Sequence, residues 1–212
     1  MKKLFIYGAG GLGRDVFQIV STKTDIEVLG FIDDFKAGNK ISGIKIFNYD
    51  AVKNDYNDCF IVLAFGDPIL KHKIHQKIKK DNVNYISIIS KQCFVSEDAR
   101  MGKGCIIYPG TIIASNVCLG DNVVISGNTS IGHDVVVSDM SFIGFNCSIG
   151  GNTKIGKNNF IGSGSHIKDE LKIGDNNIIG LNSKVLKSLS SDKIYYSEVK
   201  KIVKKNNKTG VF

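Results

Sequence analysis

The sequence predicts two folded units in tandem, a small parallel α/β domain over residues 1–86 and a parallel β-helix over residues 87–188, with a basic tail at residues 189–212. Two observations carry this reading. Near the start, a strand-like stretch runs straight into a GxGxxG loop and a helix-like segment. From Ile89 to Val185 every sixth residue is apolar, seventeen positions in register without a slip. A fixed short period marks a coiling chain, because one repeat cannot bury its apolar face alone and does so only by stacking on its neighbours.

Taken in order, Lys3 to Tyr7 reads as a buried strand, and Gly8, Ala9, Gly10, Gly11, Leu12 and Gly13 form the loop before a helix over Arg14 to Ser21. Glycines at such a strand-to-helix turn let backbone amides approach a phosphate at a helix N-terminus. The bland alternative is tight packing of strand on helix. A second strand, Val28 to Ile32, ends in Asp33 and Asp34, about twenty residues beyond the glycines, where carboxylates can accept hydrogen bonds from a ribose or base. A third, Phe60 to Ala64, leads through Phe65, Gly66 and Asp67 into an amphipathic helix over Pro68 to Lys80, with Ile69, Leu70, Ile74 and Ile78 as its apolar side. This unit is Rossmann-like but short, which favours a mononucleotide-sized ligand over NAD.

In the coil, two further columns define the shape. Two residues before each aliphatic position the side chain is mostly small (Cys93, Ala99, Cys105, Thr111, Thr129, Ser141, Cys147, Thr153, Ser165 and Ser183 among them), so both columns share one narrow inward face. Three residues after the aliphatic position stands Asn (116, 122, 128, 146, 152, 158, 176, 182), Gly (104, 110, 164) or Asp (98, 134). These residues tolerate a left-handed backbone, so each hexapeptide is a short strand and a corner. Three hexapeptides close a triangular turn of eighteen residues, with successive turns about 4.8 Å apart as parallel strands.

Composition narrows the function. The formal net charge is +8, and Lys200, Lys201, Lys204, Lys205 and Lys208 gather near the end without aromatics suited to base stacking, which argues against nucleic acid and allows a small polyanion such as coenzyme A. No apolar run reaches the length of a membrane span and the first residues do not resemble a signal peptide, so a cytoplasmic protein without a membrane span is expected. The five cysteines form no CxxC pair and read as small packing residues. His72 and His75 are three apart on a helix with no further ligand in sequence, so no metal site is expected. His133 and His166, outward in the coil, are not a whole number of turns apart and do not stack.

The hexapeptide pattern resembles the left-handed parallel β-helix of the hexapeptide-repeat acyltransferases. Together with GAGGLG, FIDDF, AFGD and IGHD, it makes nearly the whole chain similar to the bacterial sugar acyltransferases, which include the bacillosamine-type UDP-amino-sugar N-acetyltransferases and the sialic-acid O-acetyltransferase group. The resemblance implies a general base at His133 tuned by Asp134, a nucleotide site at Gly10, Gly11, Leu12, Asp33, Asp34 and Gly66, and acetyl-CoA beside Phe142, Gly151, Ser163 and Leu181 in a cleft between neighbouring coils of a homotrimer. Gly151, one coil above His133, has no side chain to block an oxyanion. Three positions depart from the family pattern: Phe142 and Leu12 replace histidines, and Ser197 to Lys201 replaces a Gly-x-Pro-Ala-Lys stretch.

The expected activity is acyl-CoA-dependent acetylation of the amino group of a nucleotide-linked amino sugar for surface glycan biosynthesis. O-acetylation of a sugar or sialic acid is the alternative within the family, and a non-catalytic nucleotide-sugar-binding scaffold the alternative outside it.

Overall fold

The computed structural model describes residues 1–53 and 59–197. The α/β domain contains β1 (Lys2–Tyr7), α1 (Gly11–Ser21), β2 (Ile26–Ile32), β3 (Lys40–Ile41), β4 (Ile44–Phe47), α2 (Tyr49–Val52), β5 (Cys59–Leu63), α3 (Pro68–Ile78) and β6 (Asn84–Tyr85). Its sheet has the order β3-β4-β2-β1-β5-β6 and is parallel except for the β3–β4 hairpin. The hairpin, α2 and β6 are too short to announce themselves by periodicity.

From Ile88 the chain winds into a three-faced prism of two-residue strands, paired in parallel with the strand eighteen residues on up to Val185, as in Ile106↔Val124 and Val124↔Phe142. The first face runs from Ile88–Ile89 to Ile194–Tyr195, the second from Phe94–Val95 to Lys184–Val185, and the third from Arg100–Met101 to Lys172–Ile173. Corners take the left-handed backbone at every Asn and Gly of the column and at Asp134, as at Asn116 (φ 56) and Asp134 (φ 58), but not at Asp98, where the sequence also predicts it. Met140 (φ 64) and Glu170 (φ 60) occupy the same corner position without the residue type that favours it.

The narrow interior is apolar, with Ile107, Ile113, Ile125, Val137, Ile143 and Ile161 fully buried. Most of its polar members are paired between coils, the Ser183 hydroxyl being an exception. Thr129 Oγ1 donates to the Gly144 carbonyl (2.7 Å) and accepts from Cys147 N–H (3.1 Å), and Ser141 and Ser165 repeat the arrangement. A small hydroxyl therefore fits the column because it bridges two turns of backbone that would otherwise leave buried polar groups unpaired.

Outward side chains of the first face close a second core. Ile88, Ile106, Tyr108 and Val124 pack with Leu4, Ile6, Val16, Val20, Phe31 and Val62 of the α/β domain, and the Tyr108 hydroxyl donates to Asp15 on α1 (3.1 Å). The α/β domain thus covers the lower part of the first face and leaves the other two faces clear.

Two sequence-based expectations need correction. The coil does not stop at residue 188: Leu189 bridges to Ile173, and Ile194–Tyr195 pairs with Ile178–Ile179, so residues 189–195 extend the prism instead of starting a tail. The lysine cluster from Lys200 onward lies outside the described residues. On α3 the buried positions are Pro68, Lys71 and Ile78, while Ile69 and Leu70 stay exposed. The i, i+3, i+7 stripe through residues 71, 74 and 78 faces inward, so the Lys71 stem is buried in place of the two apolar residues. Its amine has no hydrogen-bond partner among the described residues, and burial pushes its pKa down to about 7.

Candidate active site

His133 lies on the edge between the second and third faces, two residues past Ile131 and immediately before the left-handed corner at Asp134. At that corner the side chains point outward, and the imidazole and carboxylate are 60% and 43% exposed. His133 Nδ1 donates to Asp134 Oδ2 at 2.7 Å, which turns Nε2 outward. Asp134 Oδ1 accepts from Asn116 Nδ2 at 2.6 Å. The Asn116 amide, and after it the His133 imidazole, hold the Asp134 carboxyl below its ordinary pKa, which keeps it in its ionised, accepting form at neutral pH.

The coil above makes room for the ring. A Cβ on Gly151 would lie 2.8 Å from both Cε1 and Nε2 of His133, so a side chain there would push the imidazole out of its present place. At several other corners of the prism the equivalent backbone N–H is capped by a side chain one turn on, as Lys157 N–H is by Asp175 (2.7 Å) and Phe145 N–H by Ser163 (3.1 Å), although not at all of them. At His133 the residue one turn on is Gly151, which has no side chain to offer. Neither the His133 nor the Gly151 amide has an acceptor among the described residues. An imidazole nitrogen and free amide donors therefore share one exposed edge, which is the equipment for moving a proton beside a developing oxyanion.

In the α/β domain the glycines divide by role. A Cβ on Gly13 would lie 1.9 Å from the Gly8 carbonyl oxygen, and one on Gly8, itself at φ +112, would lie 2.6 Å from the Ala64 oxygen. Those two serve close packing. Gly10 and Gly11 face open space, at a helix N-terminus with no side-chain cap. Leu12 packs against the second core. Asp33 accepts from Ala9 N–H (3.2 Å) and Phe35 N–H (3.1 Å), and Lys36 Nζ donates to the Ala9 carbonyl (2.9 Å), so this acid holds the glycine loop. Asp34 accepts from Tyr49 N–H (2.8 Å) and pairs with Lys77 (2.9 Å).

Partial burial pushes the Asp34 carboxyl up, but the Tyr49 N–H and Lys77 outweigh it and the net pKa lies below the ordinary value. A depressed carboxyl contributes stability at neutral pH and loses it as the pH falls through its folded value. Asp34→Asn is therefore expected to lower the melting temperature by a few degrees at pH 7 and to have a smaller effect at pH 3. Equal differences in thermal melts at the two pH values would refute the charge contribution.

The sites inferred from sequence do not all meet within one chain. His133, Asp134 and Gly151 share one edge. Ser163 and Leu181 lie on the neighbouring edge between the first and second faces, with an open trough of ≈ 640 Å³ along the second face between the two edges. Phe142 lies on the first face, where its ring stacks on Phe160 (5.2 Å, 5°) and its Cε2 is 3.7 Å from where a Gly66 Cβ would be. Beside it, Asp67, Pro68, Ile69, Asn158, Phe160, Asn176 and Ile178 line a cleft of ≈ 370 Å³. Asn116 and Phe160 escaped sequence reasoning, although each stands eighteen residues from a position already singled out.

His75 is half-buried, with Nδ1 2.9 Å from the Tyr85 hydroxyl. Among the described residues no three His, Cys, Asp or Glu side chains are grouped to hold a metal ion, and no helix is long and apolar enough to cross a membrane.

Two family models tile the chain: the PglD N-terminal domain matches residues 3–78 and the GMPPB C-terminal domain matches residues 87–195. The second of these covers half of the chain, so the chain belongs to the family of the GMPPB C-terminal domain, here preceded by a match to the PglD N-terminal domain. Among curated relatives, the GDP-perosamine N-acetyltransferase of Escherichia coli O157:H7 is 27% identical over 117 residues, 52% of this chain and 53% of that protein. The chain thus spans about half the length of this curated relative.

Two solved members of similar fold are PerB from Caulobacter crescentus in complex with CoA and GDP-perosamine (20% identity, TM-score 0.86, 93% of this chain and 95% of that one) and WeeI from Acinetobacter baumannii AYE (24%, 0.83, 91% and 96%). In keeping with these folds, the prism is a left-handed parallel β-helix behind a Rossmann-like domain.

Proposed function

We propose that the chain is an acyl-CoA-dependent acyltransferase that acetylates the amino group of a nucleotide-linked amino sugar, with His133 as general base. The observation that carries the proposal is the exposed His133–Asp134 pair beneath Gly151. A curated relative named for N-acetylation of GDP-perosamine, and a similar fold solved with CoA and GDP-perosamine, support the substrate class.

In the proposed reaction the sugar amine attacks the thioester carbonyl carbon, and His133 Nε2 takes a proton from the nitrogen as the C–N bond forms. Asp134 accepts the Nδ1 hydrogen bond and stabilises the imidazolium that results. The oxyanion is met by the Gly151 N–H. Collapse breaks the C–S bond, and the imidazolium returns a proton to the departing thiolate. No covalent enzyme intermediate is required.

The nucleotide would rest at Gly10 and Gly11, where the Cα positions border open space at the start of α1, on a loop held by Asp33 and Lys36. Leu12, Asp34 and Gly66 border this region. Acetyl-CoA would lie along the edges bearing Gly151, Ser163 and Leu181, with Phe142 at the acceptor side. Because the α/β domain covers the first face of its own coil and His133 stands on the opposite edge, one chain does not bring its own base to its own glycine loop. A neighbouring copy completes the site, which is the physical reason for proposing a homotrimer. The proposed location is the cytoplasm, where acetyl-CoA is available.

The test is a panel of UDP-, GDP- and dTDP-linked amino sugars incubated with acetyl-CoA and read by mass. Gain of one acetyl group, as an amide, on a single sugar nucleotide is expected. An ester product would move the assignment to O-acetylation, and binding of a sugar nucleotide without any transfer would favour a scaffold.

A further inference from the structure

The carboxylate that orients His133 is itself held, and we infer that Asn116 is the positioning residue that holds it, acting through Asp134 on the base. The inference deepens the catalytic reading above and rests on it. Asn116 and Asp134 are successive left-handed corners of one edge, at φ 56 and 58. The Asn116 amide donates to one Asp134 oxygen at 2.6 Å, and the other oxygen accepts from His133 Nδ1 at 2.7 Å. An exposed aspartate bound at one point can still rotate and lose its partner to water. Bound at both oxygens, it presents a fixed acceptor to the imidazole.

Asn116 is seated in turn from below. Asp98 stands one turn below on the same edge and accepts from Ser96 Oγ at 2.7 Å, and Ser96 and then the Asn116 backbone N–H lower its pKa. The line Ser96, Asp98, Asn116, Asp134, His133 therefore runs up one edge of the coil and ends on the imidazole. An amide suits position 116 because a carboxylate there would face Asp98 below and Asp134 above. With Asp134 fixed, the neutral ring keeps its proton on Nδ1 and its lone pair on Nε2, the nitrogen that must accept the substrate proton.

The fold contains its own control. On the edge between the third and first faces, Asn176 Nδ2 donates to Asp192 Oδ1 at 2.9 Å, an amide-to-carboxylate corner pair of the same kind with no histidine attached. Asn116→Gly and Asn176→Gly both remove an amide and leave a residue that accepts the left-handed backbone.

For Asn116→Gly we expect kcat to fall roughly ten- to hundredfold, the usual cost of misplacing a reacting group, with KM for acetyl-CoA unchanged. We also expect the imidazole ¹⁵N shifts of His133, assigned by comparison with His133→Ala, to change from the Nδ1–H tautomer to a mixture. Asn176→Gly should leave the His133 tautomer unchanged. Asn116→Asp, which has no donor to offer, should behave like the glycine variant. An Nδ1–H tautomer as dominant in Asn116→Gly as in the unaltered protein would overturn the inference, as would full turnover in Asn116→Asp. The tautomer is measured without substrate, so a failure of the catalytic reading, seen as full turnover in His133→Ala, is a separate result.

Discussion

Replacing His133 with Ala is expected to lower turnover by roughly two to four orders of magnitude, the usual contribution of a positioned general base, with little change in affinity for acetyl-CoA. The selectivity follows from the placement. The ring stands outward on an edge, its main partners are Asp134 beside it and Gly151 above it, and it fills no part of either core. Stability should therefore change by no more than about 0.5 kcal/mol. Steady-state kinetics with isothermal titration of CoA would separate the two effects. Full turnover in the variant would remove the base assignment.

The same variant tests whether the site is shared between copies. Mixed with a variant disabled only in the glycine loop, His133→Ala subunits should recover part of the activity, because an intact edge of one copy then meets an intact loop of another. Two inactive parents that stay inactive after unfolding and refolding together would place the whole site within one chain.

Gly13→Ala is expected to destabilise the α/β domain by about 3 kcal/mol or more. The added methyl would lie 1.9 Å from the Gly8 carbonyl oxygen and 3.0 Å from its carbon, both backbone atoms that cannot swing aside. Either α1 lifts from β1 or β1 shifts against β5, and both open the core around Ile6, Val16 and Val62. Gly10→Ala is its counterpart. The site is open, and the backbone there (φ −90, ψ −161) is allowed to alanine, so stability should change by about 0.5 kcal/mol or less while sugar-nucleotide affinity falls. Thermal melts and ligand titrations on the pair would separate the packing glycines from the binding ones. A stable, ligand-blind Gly13→Ala protein would contradict the division.

The GAGGLG loop illustrates how far the sequence could be read. Its place between a strand and a helix was legible because glycine spacing and apolar runs are local signals. The split between Gly8 and Gly13, which pack, and Gly10 and Gly11, which face space, depends on how closely Ala64 and the start of α1 approach, and no local pattern reports that. On α3, Ile69 and Leu70 looked like the buried side. The actual stripe, with Lys71 inside, is chosen by the surface that the helix meets. The tail assigned from residue 189 was a failure of period, since the chain shortens a repeat before Ile194 and then resumes pairing with Ile178.

What the sequence by itself determined is the coil and everything tied to its step. Residues eighteen apart share a corner, so the outward direction of His133, the left-handed turn at Asp134 and the position of Gly151 above them all follow from counting. A quasi-one-dimensional stack has a constant translation, and a constant translation is written into the order of residues. What only the tertiary structure decided is which face of the prism the α/β domain covers. That choice rests on the fit of Ile88, Ile106 and Val124 against Leu4, Phe31 and Val62, contacts between segments far apart in the chain. It places the glycine loop and the histidine on different sides of one molecule, because complementarity between two surfaces has no period to read.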